Sequence, residues 1–100
     1  MKEVKIGSDF SGVGAFNQAL KRLKINYKEI FACDMDKYAR QTFCLNFGTE
    51  KDVELTQKKE QTNPKEFSFY YPYDVYDREI PKESLDIYVT SPPCQAFSMA

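Results

Sequence analysis

The sequence has 100 residues, 42% of them apolar and 15% aromatic, which is enough for one small domain with a hydrophobic core and too little for a second domain. The formal net charge is −1, from 14 basic and 15 acidic residues, which excludes a strongly basic surface that binds nucleic acid by charge alone. The three cysteines, Cys33, Cys44 and Cys94, form no Cys-x-x-Cys pair and the chain has no histidine, so no metal site is predicted.

Two further features predict a cytoplasmic protein. An odd number of cysteines without disulfide-like spacing is typical of reduced thiols in the cytosol. The N-terminus lacks the apolar stretch of a signal peptide, and no run approaches the roughly 20 apolar residues that span a membrane.

The first predicted elements are a strand, a turn and a helix. Val4 and Ile6 alternate with charged residues before Gly7, which predicts a short strand. From residue 13 the apolar residues recur at helical spacing, and three basic residues lie near the end of this helix, where cations interact favourably with the helix dipole. The turn between them spans residues 8–14.

A buried strand and a second helix are predicted next. Residues 29–33 are mostly apolar and indicate the strand, and residues 34–47 indicate a helix that Gly48 ends. Four side chains are expected on one face of this helix: Met35, Ala39, Phe43 and Phe47. Residues 49–66 are highly charged, which predicts a long surface loop with room for a helical turn.

Two more strands are predicted in the last third of the chain. The aromatic run over residues 67–73 indicates a third strand, and residues 85–90 indicate a fourth, closed by Ser91-Pro92-Pro93. Alternating strands and helices predict an α/β fold with a parallel sheet and right-handed crossovers. Ligands of such sheets bind outside the carboxyl ends of the strands, where the most suggestive residues of this sequence fall.

The first strand-to-helix turn is a candidate ligand site. Gly12 and Gly14 lie where a strand leads into a helix, so that the backbone can approach a ligand closely. This pattern alone is equally typical of a tight turn in any α/β domain, and Phe10 fits a core position as well as a ligand contact.

Carboxylates at the ends of two later strands are further candidates. Asp34 follows the second strand about 20 residues after the glycines, where a carboxylate accepts hydrogen bonds from ribose hydroxyls. Asp36 competes for this role, and Asp34 could instead be the N-cap of the second helix. Asp74 follows the aromatic run and could accept the amine of an adenine, with Asp77 close by and a turn-forming role as the alternative.

The segment after the fourth strand presents a thiol. Pro92 and Pro93 fix the backbone directly before Cys94, and cysteine is the strongest nucleophile among ordinary side chains. Cys33 lies in an apolar strand and Cys44 on a helix, so both are interpreted as small buried hydrophobic residues.

Four segments together resemble successive motifs of the cytosine-5 DNA methyltransferase family, in the family's order. They are Phe10-Ser11-Gly12-Val13-Gly14, Asp34-Met35-Asp36-Lys37-Tyr38-Ala39, Asn46-Phe47 and Pro92-Pro93-Cys94-Gln95-Ala96-Phe97-Ser98. The last of these is strongly specific. The resemblance implies a Rossmann-like methyltransferase fold that uses S-adenosylmethionine, of which residues 1–100 are the N-terminal half with about four strands and flanking helices.

The resemblance also implies roles for individual residues. Cys94 would attack carbon 6 of a cytosine flipped out of double-stranded DNA. The cofactor would contact Phe10, Ser11, Gly12, Gly14, Asp34, Met35, Asp74 and Pro93. Gln95 and Ser98 would contact the DNA or the neighbouring backbone, and the chemistry needs no metal.

Three departures from the family pattern concern the cofactor contacts. The family's usual acid two residues before the phenylalanine is Ser8 here, with Asp9 one place later. Its third glycine is Ala15, and its ribose-binding glutamate is the shorter Asp34.

We expect these residues to lack several parts of the family enzyme. These are the segment Glu-Asn-Val, a later arginine motif, the target-recognition domain and the closing helix. The chain alone is therefore predicted to transfer no methyl group, and DNA would be bound through the missing part. The fourth strand would become a sheet edge, which predicts self-association or pairing with a complementary fragment.

Three other functions compete with this interpretation. An RNA cytosine-5 methyltransferase shares the Pro-Pro-Cys loop, and a non-catalytic nucleotide-binding module could complete a partner chain. An amino-methyltransferase is disfavoured because that chemistry places a stacking aromatic where this sequence has Cys94. The family is typical of DNA methylation and restriction-modification systems in bacteria and phages.

Overall fold

The computed structural model describes residues 3–58 and 62–90. Its strands are β1 (Val4–Asp9), β2 (Tyr27–Cys33) and β3 (Ile87–Thr90), and its α-helices are α1 (Ala15–Arg22), α2 (Lys37–Phe47) and α3 (Glu50–Thr56). A single 3-10 turn covers Pro64–Glu66. Within these residues no helix is long and apolar enough to cross a membrane.

The three described strands form one parallel sheet in the order β2-β1-β3. The predicted α/β class with a parallel sheet and flanking helices is therefore confirmed, and the predicted fourth strand lies at an edge as expected. The first strand is longer than predicted, because it continues through Gly7 to Asp9. Glycine is required at this strand position because the ring of Phe31 covers it: a Cβ added at Gly7 would lie 2.3 Å from Cε1 of that ring.

The pairing of β1 with β2 contains a bulge. Ile6 pairs with Glu29 and Gly7 pairs with Phe31, so that Ile30 is an extra residue in β2. Glu29 and Phe31, which would face the same side of a regular strand, therefore face opposite sides of the sheet.

The prediction of a third strand over residues 67–73 is wrong. Only one parallel bridge, between Phe31 and Tyr70, joins this segment to the sheet. The N–H of Tyr71 donates to the carbonyl of Pro64 instead of to β2, at 3.2 Å. The chain bends at residues 67–69, and the alternate side chains Phe67, Phe69 and Tyr71 are buried in the core.

Two helix predictions also need correction. The second helix begins at Lys37, not at residue 34, and Met35 is 70% exposed instead of lying on its apolar face. The predicted loop over residues 49–66 contains α3, which begins with a capping box: Thr49 and Asp52 each accept a hydrogen bond from the other's backbone N–H.

The core lies between α2, α3 and the aromatic segment. Phe43 of α2 is fully buried at its centre, with ring centroids 5.3–5.6 Å from those of Phe47, Phe69 and Tyr71. Buried Asp52 of α3 accepts hydrogen bonds from the backbone and side chain of Ser68, which fixes the aromatic segment to this helix. The carboxyl end of β2 packs against this core through Ala32.

Candidate functional site

The turn between β1 and α1 has an uncommon backbone. Phe10, Gly12 and Gly14 have φ angles of 56°, 59° and 88°. This left-handed region costs a residue with a side chain about 1–2 kcal/mol. The turn is held by β2, because the backbone N–H and the hydroxyl of Ser11 donate to the carbonyl of Cys33 at 2.9 and 3.3 Å.

The two glycines of this turn serve different purposes. A Cβ added at Gly14 would lie 2.3 Å from Cε2 of Phe47, so this glycine allows α1 and α2 to pack closely. A Cβ added at Gly12 would meet no described atom within 4 Å. The backbone of Gly12 is therefore open to a ligand, whereas Gly14 faces the core.

Asp34 joins the carboxyl end of β2 to this turn. Its Oδ2 accepts the N–H of Gly12 at 2.7 Å, and its Oδ1 accepts the N–H of Asp36 at 2.8 Å. The alternative that Asp34 caps the second helix is wrong, since Asp36 is the N-cap and accepts from Tyr38 and Ala39. A carboxylate has about four acceptor positions, so two remain for hydroxyl groups of a ligand.

Five of the predicted cofactor residues line two pockets of the described chain. We call the first the turn pocket; it has a volume of ≈ 200 Å³ and is lined by Phe10, Ser11, Gly12 and others of the turn. The second, the aspartate pocket, has ≈ 260 Å³ and is lined by Met35 and Asp74 among others. Asp34 is not itself a lining residue, but it accepts a hydrogen bond from Gly12 of the turn pocket and precedes Met35 of the aspartate pocket. Gly14 lines neither.

Asp74 takes part in a turn. Its Oδ1 accepts the N–H of Tyr76 at 2.9 Å, and its carbonyl accepts the N–H of Asp77 at 3.2 Å. This is the turn-forming arrangement that the sequence left open. It occupies one carboxylate oxygen, and Oδ2 accepts no hydrogen bond from the described residues.

Ser8, a lining residue of the turn pocket, has a hydroxyl without a hydrogen-bond partner among the described residues. The residue is only 5% exposed, and its Oγ has no hydrogen-bond partner within the described parts of the chain. A buried hydroxyl without a partner is uncommon in folded proteins. Ser8 is a lining residue of the turn pocket, but its Oγ is itself buried.

An ion pair at the end of β1 was not predicted from the sequence. Asp9 is 1% exposed and accepts from Nε and Nη2 of Arg78 at 2.7 and 2.8 Å, and also from the hydroxyl of Tyr88. The hydrogen bond and charge of Asp9 raise the pKa of Arg78. The partners are 69 residues apart along the chain, so no local pattern could have identified the pair. Arg40, a buried arginine of α2, was missed for the same reason.

Two of the cysteines are structural, as predicted. Cys33 and Cys44 are buried, and burial raises the pKa of each thiol to about 12. They are therefore poor nucleophiles at neutral pH. Within residues 3–58 and 62–90 no three metal-ligating carboxylate, thiol or imidazole side chains come together.

The remaining predicted residues lie outside the described part of the chain. They are Pro93, Cys94, Gln95 and Ser98. The preceding residue Thr90 ends β3 beside Asp9, at the carboxyl edge of the sheet.

The strand order places a crevice at this edge. The chain leaves β1 for β2 on one side, and β3 pairs on the other side, which makes β1 the point where the strand order reverses. Open α/β sheets bind their ligands at such a switch point, outside the carboxyl ends of the strands. Fold and strand order therefore define an α/β domain with a parallel sheet and a switch point at β1.

Comparison with known proteins identifies the family. The family model for C-5 cytosine-specific DNA methylase matches residues 4–100. The chain therefore belongs to the C-5 cytosine-specific DNA methylase family.

Curated relatives are methyltransferases of phages and bacteria. The chain is 32% identical over 108 residues to the orphan methyltransferase M.SPRI of Bacillus phage SPR, a match that covers 100% of the chain and 19% of the phage protein. It is 29% identical over 91 residues to the type II methyltransferase M.HhaI of Haemophilus parahaemolyticus, covering 91% of the chain and 21% of that protein. The chain thus spans about a fifth of the length of these relatives. No solved structure gave a significant match.

Proposed function

We propose that the intact protein carrying these residues transfers a methyl group from S-adenosylmethionine to carbon 5 of cytosine in double-stranded DNA. The described residues would form part of the cofactor site, and Cys94 would be the nucleophile. The phage and bacterial relatives support action in the cytoplasm of a bacterium or of a phage-infected cell. Family membership supports the reaction class, and the bond from Gly12 to Asp34 carries the cofactor assignment.

The residues at the two pockets fit an adenosine-containing ligand. Asp34 retains two acceptor positions for ribose hydroxyls while its existing bonds fix its carboxylate. Gly12 leaves the space beside its Cα uncovered, and Gly12 and Ser8 line the same pocket. Phe10 would pack on the adenine and Asp74 would accept the adenine amine through its free Oδ2.

Other family roles complete this assignment. Ser11 and Met35 would line the cofactor, Gly14 would hold the turn in place, and Pro93 would lie near the methionine portion. Gln95 and Ser98 would contact the DNA or the adjacent backbone.

Cys94 provides the covalent step on the base. Its thiolate adds to carbon 6 of the flipped cytosine, which makes carbon 5 nucleophilic. The bound cofactor supplies an electrophilic methyl group. After carbon 5 has taken the methyl group, loss of its proton and breakage of the Sγ–carbon 6 bond regenerate the thiolate and the aromatic ring.

Calorimetry with a matched pair of variants tests the cofactor assignment. Asp34→Asn in the intact protein should weaken binding of S-adenosylmethionine by about tenfold or more, because hydrogen bonds to a charged group are lost. Asp36→Asn makes the same change two residues away and keeps a good N-cap, so it should bind like the wild type. No binding by the wild type, or equal binding by Asp34→Asn, would contradict the assignment.

Trapping on a modified base tests the nucleophile and the substrate. The intact protein should form a covalent adduct with DNA that contains 5-fluorocytosine, and Cys94→Ser should abolish it. Cys44→Ala, which changes a buried thiol, should retain it. An adduct with RNA but not with DNA would favour the RNA enzyme, and absence of any adduct would favour a non-catalytic module.

A further inference from the structure

Arg40 of α2 is a buried cation, and its hydrogen-bond partners among the described residues are all backbone carbonyls. The residue is 1% exposed. Its Nη1 donates to the carbonyls of Asp34 and Pro72, both at 3.1 Å, and its Nη2 donates to that of Tyr71 at 3.1 Å. No carboxylate of the described chain lies within ion-pair distance of it. Burial of a charge without an ion-pair partner costs folding free energy unless its donors form hydrogen bonds of good geometry.

Two aromatic rings enclose the guanidinium. Its Cζ lies 3.8 Å from the ring centroid of Tyr71 and 3.7 Å from that of Tyr73. A cation stacked on aromatic faces away from water interacts strongly with them. Arginine suits this position and lysine does not, because only the planar guanidinium stacks on rings while its fork donates in fixed directions.

The contacts of Arg40 join the two segments that carry the candidate ligand carboxylates. One carbonyl belongs to Asp34 itself, and Pro72 lies two residues before Asp74. The sheet does not hold these segments together at this point, because the last backbone bond between them, from Asp34 N to the Pro72 carbonyl, is 3.4 Å long. Arg40 takes the place of the β-ladder that ends there.

We propose that Arg40 is a positioning residue that sets the distance between Asp34 and Asp74 and thereby selects an adenine nucleoside over its hypoxanthine analogue. The inference rests on the proposed cofactor site. Asp34 accepts hydrogen bonds from the ribose of the ligand and Asp74 accepts one from its exocyclic amine. Recognition of adenine therefore requires both carboxylates at a fixed separation. Hypoxanthine has a carbonyl in place of this amine, so the group that Asp74 would meet at carbon 6 accepts a hydrogen bond instead of donating one.

Competition between two ligands in the intact protein tests this role. The wild type should bind S-adenosylhomocysteine more tightly than S-inosylhomocysteine. Arg40→Lys should weaken the adenine ligand by about tenfold, the value of one hydrogen bond of ~1.4 kcal/mol, and change the hypoxanthine ligand little. The ratio of the two Kd values should therefore fall. Arg22→Lys, at an exposed arginine of α1, should leave the ratio unchanged.

A purely structural role gives a different result. If Arg40→Lys weakens both ligands equally, or lowers only the unfolding temperature, the inference is overturned. A wild type that binds both ligands equally also overturns it, whereas a wild type that binds neither refutes the proposed cofactor site itself. Should Arg40→Lys fail to fold, Tyr73→Leu removes one stacking ring at a half-buried position and should also lower the ratio.

Discussion

Glu29 makes stability depend on pH near neutrality. Its Oε1 accepts the side-chain N–H of Asn17 in α1 at 2.8 Å, while its Oε2 is buried with no partner among the described residues. Burial raises the pKa of Glu29 from its usual 4.5 to about 7, against the opposing effect of the Asn17 hydrogen bond. We predict that Glu29→Gln, which resembles the protonated side chain, removes this dependence.

The sign and size of the effect follow from the two pKa values. Between pH 4.5 and about 7 the folded protein keeps a proton that the unfolded chain has released, so the free energy of unfolding falls as the pH rises through this window. This interval of about 2.5 pKa units corresponds to at most about 3.4 kcal/mol, at 1.36 kcal/mol per pKa unit. Glu29→Gln should match the wild type below pH 4.5 and be more stable by up to that amount at pH 8.

Urea unfolding followed by circular dichroism, at steps from pH 4 to pH 8.5, measures this difference. Glu54→Gln, at an exposed position of α3, controls for the loss of one negative charge. If the difference in unfolding free energy between Glu29→Gln and the wild type is the same at every pH, Glu29 is not the buried titrating group and the reasoning fails.

Three further predictions concern packing and burial. Gly14→Ala should lower the free energy of unfolding by about 2–4 kcal/mol, from backbone strain and the clash with Phe47, whereas Gly12→Ala should cost about 1–2 kcal/mol and instead weaken cofactor binding. Asp9→Asn should cost about 3 kcal/mol in urea unfolding, because the charge of Arg78 loses its partner, and the double variant with Arg78→Met should be more stable than additivity predicts. The two buried thiols should not react with a thiol reagent in the native protein and should react once it unfolds.

Each of these has a contrary outcome. Equal stabilities of the two glycine variants would show that contact with the phenylalanine ring is not limiting. An additive double variant would mean that the ion pair is uncoupled, and rapid labelling of both buried thiols in the native protein would contradict their burial.

The sequence predicted those parts of the fold that local patterns determine. The strand-turn-helix around Gly12 and the buried strand before Asp34 are present, because periodicity and turn residues report them directly. The predicted third strand was wrong because the alternation of Phe67, Phe69 and Tyr71 reports only that every second side chain is buried. It does not reveal that the chain bends at residues 67–69 or which carbonyl its amides meet. α3 was anticipated only as a helical turn within a loop, because the charged residues around it obscured the capping box.

The same distinction applies to the site. The position of Asp34 at the carboxyl end of a strand could be predicted, and its bond to Gly12 then followed from the fold. Arg40 bonds to residues as far as 32 positions away and Asp9 to one 69 positions away. Buried charges are defined by partners that only the tertiary structure brings together.

The bulge at Ile30 places Glu29 and Phe31, which are two residues apart, on opposite faces of β2. Before it, Glu29 faces α1; after it, Phe31 faces Gly7 and Arg78. Deletion of Ile30 would make Glu29 and Phe31 neighbours in a regular strand, where they would still face opposite sides, so Phe31 would keep its pairing with Gly7. When this strand is aligned with relatives that lack the bulge, the one-residue gap therefore belongs inside the strand, at Ile30, and not in the loops that flank it.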